Sequence, residues 1–330
     1  MTKRFDVCGI GNGIMDILVR VSDEEFAQTG FQKGGADLVN VAQQRALLEQ
    51  FKDHNPTLAS GGSVANSIFA VAQLGGKAAL ATSLGDDRYG MYFDQECEAI
   101  GIELGNPLTV GETTGTCLVM ITPDSERTMR TCLAVSAALS ARHIDEEVIS
   151  ASKWIFVEGY LFANQENGHA AIRRALELAR RHDCRVAVTL SDEWIVNLHP
   201  DFLASVLDAS DLIFANENEA CSLTGTSSRE QAFEAACKRY KNFLMTAGEQ
   251  GAQMYFDGRS ANIPAFACKP VDLTGAGDIF AGAFLYGITQ GIAPESAVRG
   301  GCFLASKVIS RIGARLHTGT REHWDEALKN

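Results

Sequence analysis

The sequence lacks an excess of positive charge. Its 29 lysine and arginine residues are outnumbered by 41 aspartate and glutamate residues, which gives a formal net charge of −12 over 330 residues. Nucleic acids and anionic membrane surfaces are bound through basic patches, so this balance argues against both as partners. It does not exclude a nucleotide substrate, because a local group of backbone N–H donors together with Mg²⁺ can hold phosphates on an acidic protein.

Long apolar runs are also lacking. The stretch from Met1 to Asp6 is polar and charged, without the apolar core of a signal peptide, and no stretch approaches the length that spans a bilayer. The nine cysteines include no Cys-x-x-Cys pair and no neighbouring histidine at metal-ligand spacing, which favours reduced, mostly buried thiols over disulfides or a zinc site. We therefore expect a cytoplasmic protein.

Several familiar catalytic motifs are absent. The sequence has no Gly-x-x-x-x-Gly-Lys-Ser/Thr loop, no Gly-x-Ser-x-Gly elbow and no His-Glu-x-x-His helix. The alternating glycines Gly9, Gly11 and Gly13 are not followed by a signal for a long helix, which argues against a dinucleotide-binding fingerprint. If the chain is a kinase, it is not of the P-loop kind.

The most informative stretch that is present reads DLTGAGDIFAG, at residues 272–282. Gly275, Ala276 and Gly277 put little bulk between their backbone N–H groups and a ligand, and an apolar helical run follows, as in anion sites at helix N-termini. A carboxylate there would repel phosphate, but Asp278 makes sense as a base that removes a proton while the glycines hold the developing charge. The stretch indicates phosphoryl transfer; the alternative is a tight turn in which Asp278 stabilises the helix dipole.

Polar residues also follow the first predicted strand and begin the next predicted helix. Asn12 and Asp16 come after that strand, and strand ends in α/β sheets are where ligands bind. The pair Gly61 and Gly62 precedes a helix whose first turn carries Asn66. An amide in that place suits the recognition of a hydroxyl group, although a surface asparagine or a local cap would explain it too.

Two later predicted strands end in polar residues as well. Asn216 and Glu219 follow one of them, and Thr246, Gly248 and Gly251 follow the next. Because strand ends in a parallel sheet share one rim, we expect both groups to meet the glycine-rich turn in one crevice. Read alone, the Asn-x-x-Glu spacing also fits a helix capping box.

The order of predicted elements indicates an α/β fold. From residue 154 onward, strands and helices alternate as in βαβ units, which predicts a parallel sheet with helices on both faces. Residues 116–122 and 127–134 read as a hairpin around Pro123 and Asp124. Together with the irregular stretch at residues 18–60, this hairpin could build a small separate sheet.

In this order and spacing, these motifs resemble the ribokinase-like (PfkB) kinases from about residue 5 to about residue 316. The resemblance implies a three-layer α/β/α fold with a mainly parallel sheet and a small β-sheet lid. It also implies an ATP-dependent phosphotransferase that uses Mg²⁺. The implied large domain comprises residues 1–13, 58–107 and 135–330, and the implied lid comprises residues 14–57 and 108–134.

The resemblance assigns a role to each motif. Asp278 would be the general base, and the anion hole would be formed by Gly275, Ala276 and Gly277. Mg²⁺ would be organised through water by Asn216 and Glu219. ATP would lie along Thr246, Gly248 and Gly251. The residues that would bind the acceptor are Asn12, Asp16, Gly61, Gly62, Asn66, Arg127 and Glu158. Asp272 and Thr274 match positions that help bind a monovalent cation such as K⁺ in some members.

The acceptor is less closely defined. The segments at residues 12–17, 126–129, 158–161 and 189–192 look like the adenosine kinase branch, particularly its bacterial members, which makes adenosine the favoured small-molecule acceptor and AMP the product. The flap at residues 34–39 is smaller and more polar than the apolar segment of that branch. A kinase for ribose or a ketohexose is the alternative, and a non-catalytic nucleoside- or sugar-binding regulator is an alternative of another class. A monomer and a homodimer both agree with the sequence.

Overall fold

Fourteen strands and thirteen α-helices make up most of the chain, and the structure, a computed structural model, describes residues 3–124 and 126–329. Met1, Thr2 and Asn330, where two predicted ranges begin or end, lie outside the described residues. The strands are β1 (Phe5–Ile10), β2 (Ile14–Arg20), β3 (Ala36–Leu38), β4 (Thr57–Gly61), β5 (Ala78–Ala81), β6 (Ile102–Leu104), β7 (Gly115–Ile121), β8 (Arg127–Cys132), β9 (Ser152–Val157), β10 (Arg185–Thr189), β11 (Leu212–Asn216), β12 (Phe243–Thr246), β13 (Ala252–Phe256) and β14 (Arg259–Ile263). The α-helices are α1 (Asp23–Gln28), α2 (Val41–Gln50), α3 (Ser63–Gln73), α4 (Arg88–Ile100), α5 (Glu146–Ser150), α6 (Asn167–Arg181), α7 (Glu193–Leu198), α8 (Pro200–Asp208), α9 (Glu217–Thr224), α10 (Arg229–Arg239), α11 (Ala276–Thr289), α12 (Pro294–Val308) and α13 (Thr320–Lys329).

Nine of the strands form the main sheet, in the order β14-β13-β12-β11-β10-β9-β1-β5-β6. The strands from β12 to β6 along this order pair in parallel, while β13 and β14 extend one edge as antiparallel strands. Strand β1, which has neighbours on both sides in the sheet, is buried at every position, as expected of a strand that is covered on both faces. The predicted mainly parallel sheet is confirmed.

Helices cover both faces of this sheet and give the predicted three layers. On one face, α3, α11 and α13 contribute large side chains such as Ile68, Phe284 and Trp324 to the core. On the other face, α6 and α8 contribute Ile172 and Val206. Across the described ranges, no helix has both the length and the apolar character needed to cross a membrane.

A second sheet of five strands has the order β3-β8-β7-β2-β4. The predicted hairpin is its β7–β8 pair, which is antiparallel. One face of the sheet packs against α1 and α2 through core residues such as Phe26 and Leu47. The other face carries Ile14, Cys117 and Val119, which form a separate small core.

The fourth strand lies across a predicted domain boundary. Residues 58–61 were assigned to the large domain, but β4 pairs with β2 from Thr57 to Gly61 and so belongs to the small sheet. The pairing of this strand extends to Gly61, the first residue of the glycine pair. The pair therefore links the small sheet to α3, which packs on the main sheet. The division into two domains stays a prediction, with this end of the lid extended to Gly61.

Candidate active site

The glycine-rich turn directly precedes α11. Gly275 is the N-terminal cap of this helix and has a φ of 80°, in the left-handed region that favours glycine. A Cβ atom at this position would lie 2.0 Å from the carbonyl oxygen of Ala314. No atom lies within 4 Å of the place where a Cβ of Gly277 would be, and Gly277 is exposed. The first N–H groups of α11 are therefore open to an anionic ligand.

The close contact at Gly275 gives a prediction about stability. Gly275→Ala is expected to lower the free energy of unfolding by about 2–4 kcal/mol, because left-handed backbone strain adds to displacement of the Ala314 backbone. Gly258→Ala is the matched control, since Gly258 has a φ of 76° but no atom within 4 Å of its Cβ position. This control is expected to cost only roughly 1 kcal/mol. Denaturant unfolding of both variants measures the difference, and equal losses would contradict the steric argument.

Asp278 lies in the first turn of α11 and is held by side chains of α3. The Ser63 hydroxyl donates to its Oδ1 at 2.7 Å, and the Asn66 amide donates to its Oδ2 at 2.9 Å. The Ser67 hydroxyl donates to its backbone carbonyl at 2.8 Å. Burial raises the pKa of Asp278 to about 6, against the two side-chain hydrogen bonds, which lower it. The carboxyl is thus mostly ionised at pH 7, and its pKa is close enough to 7 for it to accept a proton during the reaction.

One cavity of about 210 Å³ joins Asp278 to the carboxyl ends of three neighbouring strands, β10, β11 and β12. It is lined by Ser63, Thr189, Ser191, Phe214, Ala215, Asn216, Glu219, Thr246, Gly277, Asp278 and Phe280. The strand ends thus meet the glycine-rich turn, in the arrangement expected for a parallel sheet. Gly248 and Gly251 do not line this cavity; they lie in the turn after Thr246, where the Gly251 N–H donates to the Gly248 carbonyl.

Asn216 and Glu219 form the capping box that their spacing allowed. The Asn216 side chain accepts from the Glu219 backbone N–H at 2.9 Å, and Glu219 Oε2 accepts from the Asn216 backbone N–H at 2.9 Å. The Asn216 amide also donates to Glu219 Oε1 at 2.7 Å. Burial raises the pKa of Glu219 to about 7, although the hydrogen bond from the Asn216 backbone lowers it. A nearby cation would restore the charge of this carboxylate.

The residues predicted to bind the acceptor are adjacent to one another. Glu158 is fully buried and accepts from the Asn12 backbone N–H at 2.5 Å and from its side-chain amide at 3.4 Å. The Ser136 hydroxyl donates to Asn12 Oδ1 at 3.0 Å. The carbonyl oxygen of Asn12 lies 2.0 Å from the Cβ position of Gly62, whose φ is 102°. Burial raises the pKa of Glu158 to about 8.

Two of the predicted acceptor residues carry polar atoms without a hydrogen-bond partner in the described residues. Asp16 packs directly against Gly61, whose Cβ position is 2.5 Å from Asp16 Oδ2, yet its carboxylate makes no hydrogen bond within the described part of the chain. Asn66 is buried, and its Oδ1 is likewise without a donor. Buried polar atoms of this kind are normally satisfied, so a ligand with hydroxyl groups is the expected partner.

Arg127 lines a cavity together with Asp16 but is bound to residues of the loop before α11. Its guanidinium contacts Asp272 Oδ2 at 2.7 Å and donates to the Thr274 hydroxyl at 3.2 Å. The Asp272 carboxylate also accepts from the backbone N–H groups of Thr274 and Gly313. The Asp272 carboxylate is thus paired with a guanidinium and two backbone N–H groups, and a role of Asp272 and Thr274 in binding K⁺ stays a prediction.

Some residues that hold the predicted site residues in place were not predicted from the sequence. Ser63 could have been found, because a hydroxyl follows the glycine pair at the start of α3. Ser136 and Ser67 had no comparable signal, since a single serine in an apolar stretch is common.

Comparisons with known proteins agree with this geometry. A family model described as pfkB family carbohydrate kinase matches residues 36–321. The chain is 27% identical to ribokinase from Haemophilus influenzae, over 86% of this chain and 91% of that protein, and 24% identical to adenosine kinase 1 from Arabidopsis thaliana, over 92% and 94%. Among solved structures, adenosine kinase from Sinorhizobium meliloti is 31% identical with a TM-score of 0.88, covering 98% of this chain and 99% of that one. A probable sugar kinase from Rhizobium etli is also 31% identical, with a TM-score of 0.89 and coverage of 99% of both chains.

Proposed function

Because this chain belongs to the PfkB family of carbohydrate kinases, we propose that it transfers the γ-phosphoryl group of ATP to a ribose-type primary hydroxyl, with adenosine as the favoured acceptor. Its relatives include kinases that act on sugars or on nucleosides. The observation that carries the proposal is the position of Asp278. It lines the cavity at the strand ends and is hydrogen-bonded to Asn66 among the acceptor residues.

The proposed chemistry follows from the two sides of Asp278. The carboxylate accepts the proton of the acceptor hydroxyl as that oxygen attacks the γ-phosphorus of ATP, while the bond from the γ-phosphorus to the β,γ-bridging oxygen breaks and ADP leaves. The open N–H groups at the start of α11, in the Gly275–Gly277 turn, stabilise the charge that develops on the phosphoryl oxygens. Both groups belong to one helical turn, so the base and the anion hole keep a fixed spacing.

The donor side fits a nucleotide with Mg²⁺. In the described residues, no cluster of three or more His, Cys, Asp or Glu side chains could hold a metal directly. Mg²⁺ keeps much of its water, so Asn216 and Glu219 would hold it through water molecules, with Thr246, Gly248 and Gly251 along ATP. When bound, the ion neutralises charge on the phosphates.

The small sheet favours a nucleoside over a free sugar. Asp16 pairs in register with Cys117, and Ile14 and Val119 lie on the same face. Leu18, Val119 and Met129 line a cavity beside the carboxylate that would hold the ribose hydroxyls, and a purine has an apolar face to place against such side chains. A free ribose or ketohexose has none, although the similarity to the Rhizobium etli protein keeps a sugar as the second candidate.

A panel of acceptors tests the proposal. ATP consumption is measured with adenosine, other nucleosides, ribose and fructose at equal concentrations. We expect the highest kcat/KM with adenosine. Turnover with a free sugar alone would support the second candidate, and binding of adenosine without turnover would contradict the kinase mechanism.

A further inference from the structure

A small cavity of about 70 Å³ lies beside Asp16, on the side of the loop that follows α12. Among the residues that line it are Asp16, Ser60, Arg127, Arg315 and His317. We call this space the Asp16 cavity. Arg315 is only 8% exposed, and the hydroxyl of Ser60 is buried without a hydrogen-bond partner. A buried arginine next to a carboxylate that lacks a partner indicates that the two charges act on each other.

The Arg315 side chain is held firmly in this place. Its guanidinium carbon lies 3.8 Å from the centroid of the Phe69 ring in α3, and its Nη2 donates to Glu96 Oε2 in α4 at 3.1 Å. The same Glu96 oxygen accepts from the Ser60 backbone N–H at 3.0 Å. Arg315 is thus held by α3 and α4. It lies next to β4, the strand that leads into the glycine pair.

Titratable and charged groups from several elements surround Asp16. They are Arg315 from the loop after α12, Arg127 from β8, Asp278 from α11, Asp272 from the loop before α11, His317 in the cavity wall and Cys117 from β7. Burial raises the pKa of Asp16 to about 7, and Arg315 is the strongest influence that lowers it. Arg127 has a weaker influence and is already bound to Asp272.

We propose that Arg315 is a positioning residue for the acceptor, which favours the ionised form of Asp16 beside Gly61, where this carboxylate meets the acceptor hydroxyls. This inference rests on the proposed function, since it assumes that Asp16 binds the acceptor. An ionised carboxylate accepts two hydroxyl donors strongly, whereas the protonated form must use one oxygen as a donor. Loss of Arg315 therefore weakens acceptor binding and leaves ATP binding and the base Asp278 in place.

Kinetics of three variants test this inference. Arg315→Met is expected to raise KM for the acceptor roughly fivefold or more at pH 7, with kcat and KM for ATP within about threefold of the wild type. Without the guanidinium the pKa of Asp16 rises, so the ionised fraction at pH 7 falls and returns at higher pH. KM for the acceptor in this variant should therefore recover towards pH 9. Arg315→Lys should restore most of the wild-type KM. Arg239→Met is the control, because Arg239 also stacks on an aromatic ring and pairs with a carboxylate, but in α10.

Glu96→Gln distinguishes the effect of the Arg315 charge from the effect of anchoring its side chain in the fold. This variant keeps the cation of Arg315 and removes its anchoring carboxylate, so the pH profile of acceptor KM should stay in place or move to lower pH. If Arg315 only braced the fold, Arg315→Met and Glu96→Gln would lower kcat and both kcat/KM values alike. That result would overturn the inference, as would an unchanged acceptor KM in Arg315→Met.

A titration without substrates distinguishes this inference from the proposed function. The side-chain carboxyl carbon of Asp16, followed by ¹³C NMR in the unliganded protein, should titrate at a pH higher by about one pH unit or more in Arg315→Met. It should not move in Arg239→Met. If the wild type phosphorylated no acceptor, the proposed function would fail while this titration still decided whether Arg315 controls the charge of Asp16. An unmoved titration would overturn the inference.

Discussion

Asp278→Asn is expected to lower kcat by roughly 10²–10⁴, with KM for ATP close to that of the wild type. Asparagine has nearly the same shape and can keep partners at Ser63 and Asn66, but it cannot take the proton of the acceptor hydroxyl. Steady-state kinetics with saturating ATP and varied acceptor measure the loss. Unfolding by denaturant should show that the fold is retained.

The pH dependence provides the control for this assignment. A base must be ionised to act, and burial places the pKa of Asp278 at about 6, so wild-type kcat should decline as the pH falls through that value. The residual activity of Asp278→Asn should lack this step. Ser67→Ala is a matched variant, because the Ser67 hydroxyl donates to the backbone carbonyls of Ser63 and Asp278 and not to the Asp278 carboxylate. Near-normal turnover of Asp278→Asn would remove Asp278 from the mechanism.

Asp16→Ala is expected to lower kcat/KM for the acceptor by roughly 10²–10³, with KM for ATP within about threefold of the wild type. The size of the effect reflects two hydroxyl groups of the acceptor that lose charged hydrogen bonds. Initial rates with each substrate varied in turn separate the two KM values. An equal loss for both substrates would show that the acceptor and donor sides are assigned wrongly.

Stability offers an independent check on the same variant. The Asp16 carboxylate has no hydrogen-bond partner in the described part of the chain, and a partly buried charge without a partner costs folding free energy. Burial raises its folded pKa to about 7, above its ordinary value, so this cost grows as the pH rises from that ordinary value and is complete above about pH 7. At pH 8, Asp16→Ala should therefore unfold at the same or a higher denaturant concentration than the wild type. Asp37→Ala in the same sheet, which removes an exposed carboxylate that pairs with the buried Arg130, is the control.

Local patterns in the sequence predicted a large part of the fold and of the site. The glycines around Asp278, the strand ends at Asn216 and Thr246, and the β7–β8 hairpin each depend on a few neighbouring residues, and such short-range signals are readable without a structure. The convergence of strand ends followed from one general property of parallel sheets. The capping box of Asn216 and Glu219 also follows from spacing alone.

Contacts between distant residues were beyond the reach of these patterns. Arg315 meets Glu96 across a sequence separation of 219 residues, and Arg127 meets Thr274 across 147. Nothing in the chemistry of a single arginine shows which of many carboxylates it will contact. The small-sheet pairing of β4 was missed for a related reason, since its residues 57–61 have no strong alternation and are placed by their partner β2.

The hydrogen bonds that hold Asp278 have a consequence for the timing of the reaction. All three donors, Ser63, Asn66 and Ser67, belong to α3, and α3 packs closely against α11, where the Cβ position of Gly282 lies 2.3 Å from the Ser67 carbonyl. No strand of the small sheet contributes a donor among these contacts. Lid motions in enzymes take microseconds to milliseconds, and such a motion here would leave the base already oriented. A substitution within the small sheet is therefore expected to change the rate at which the acceptor is admitted while leaving the three donors of Asp278 in place.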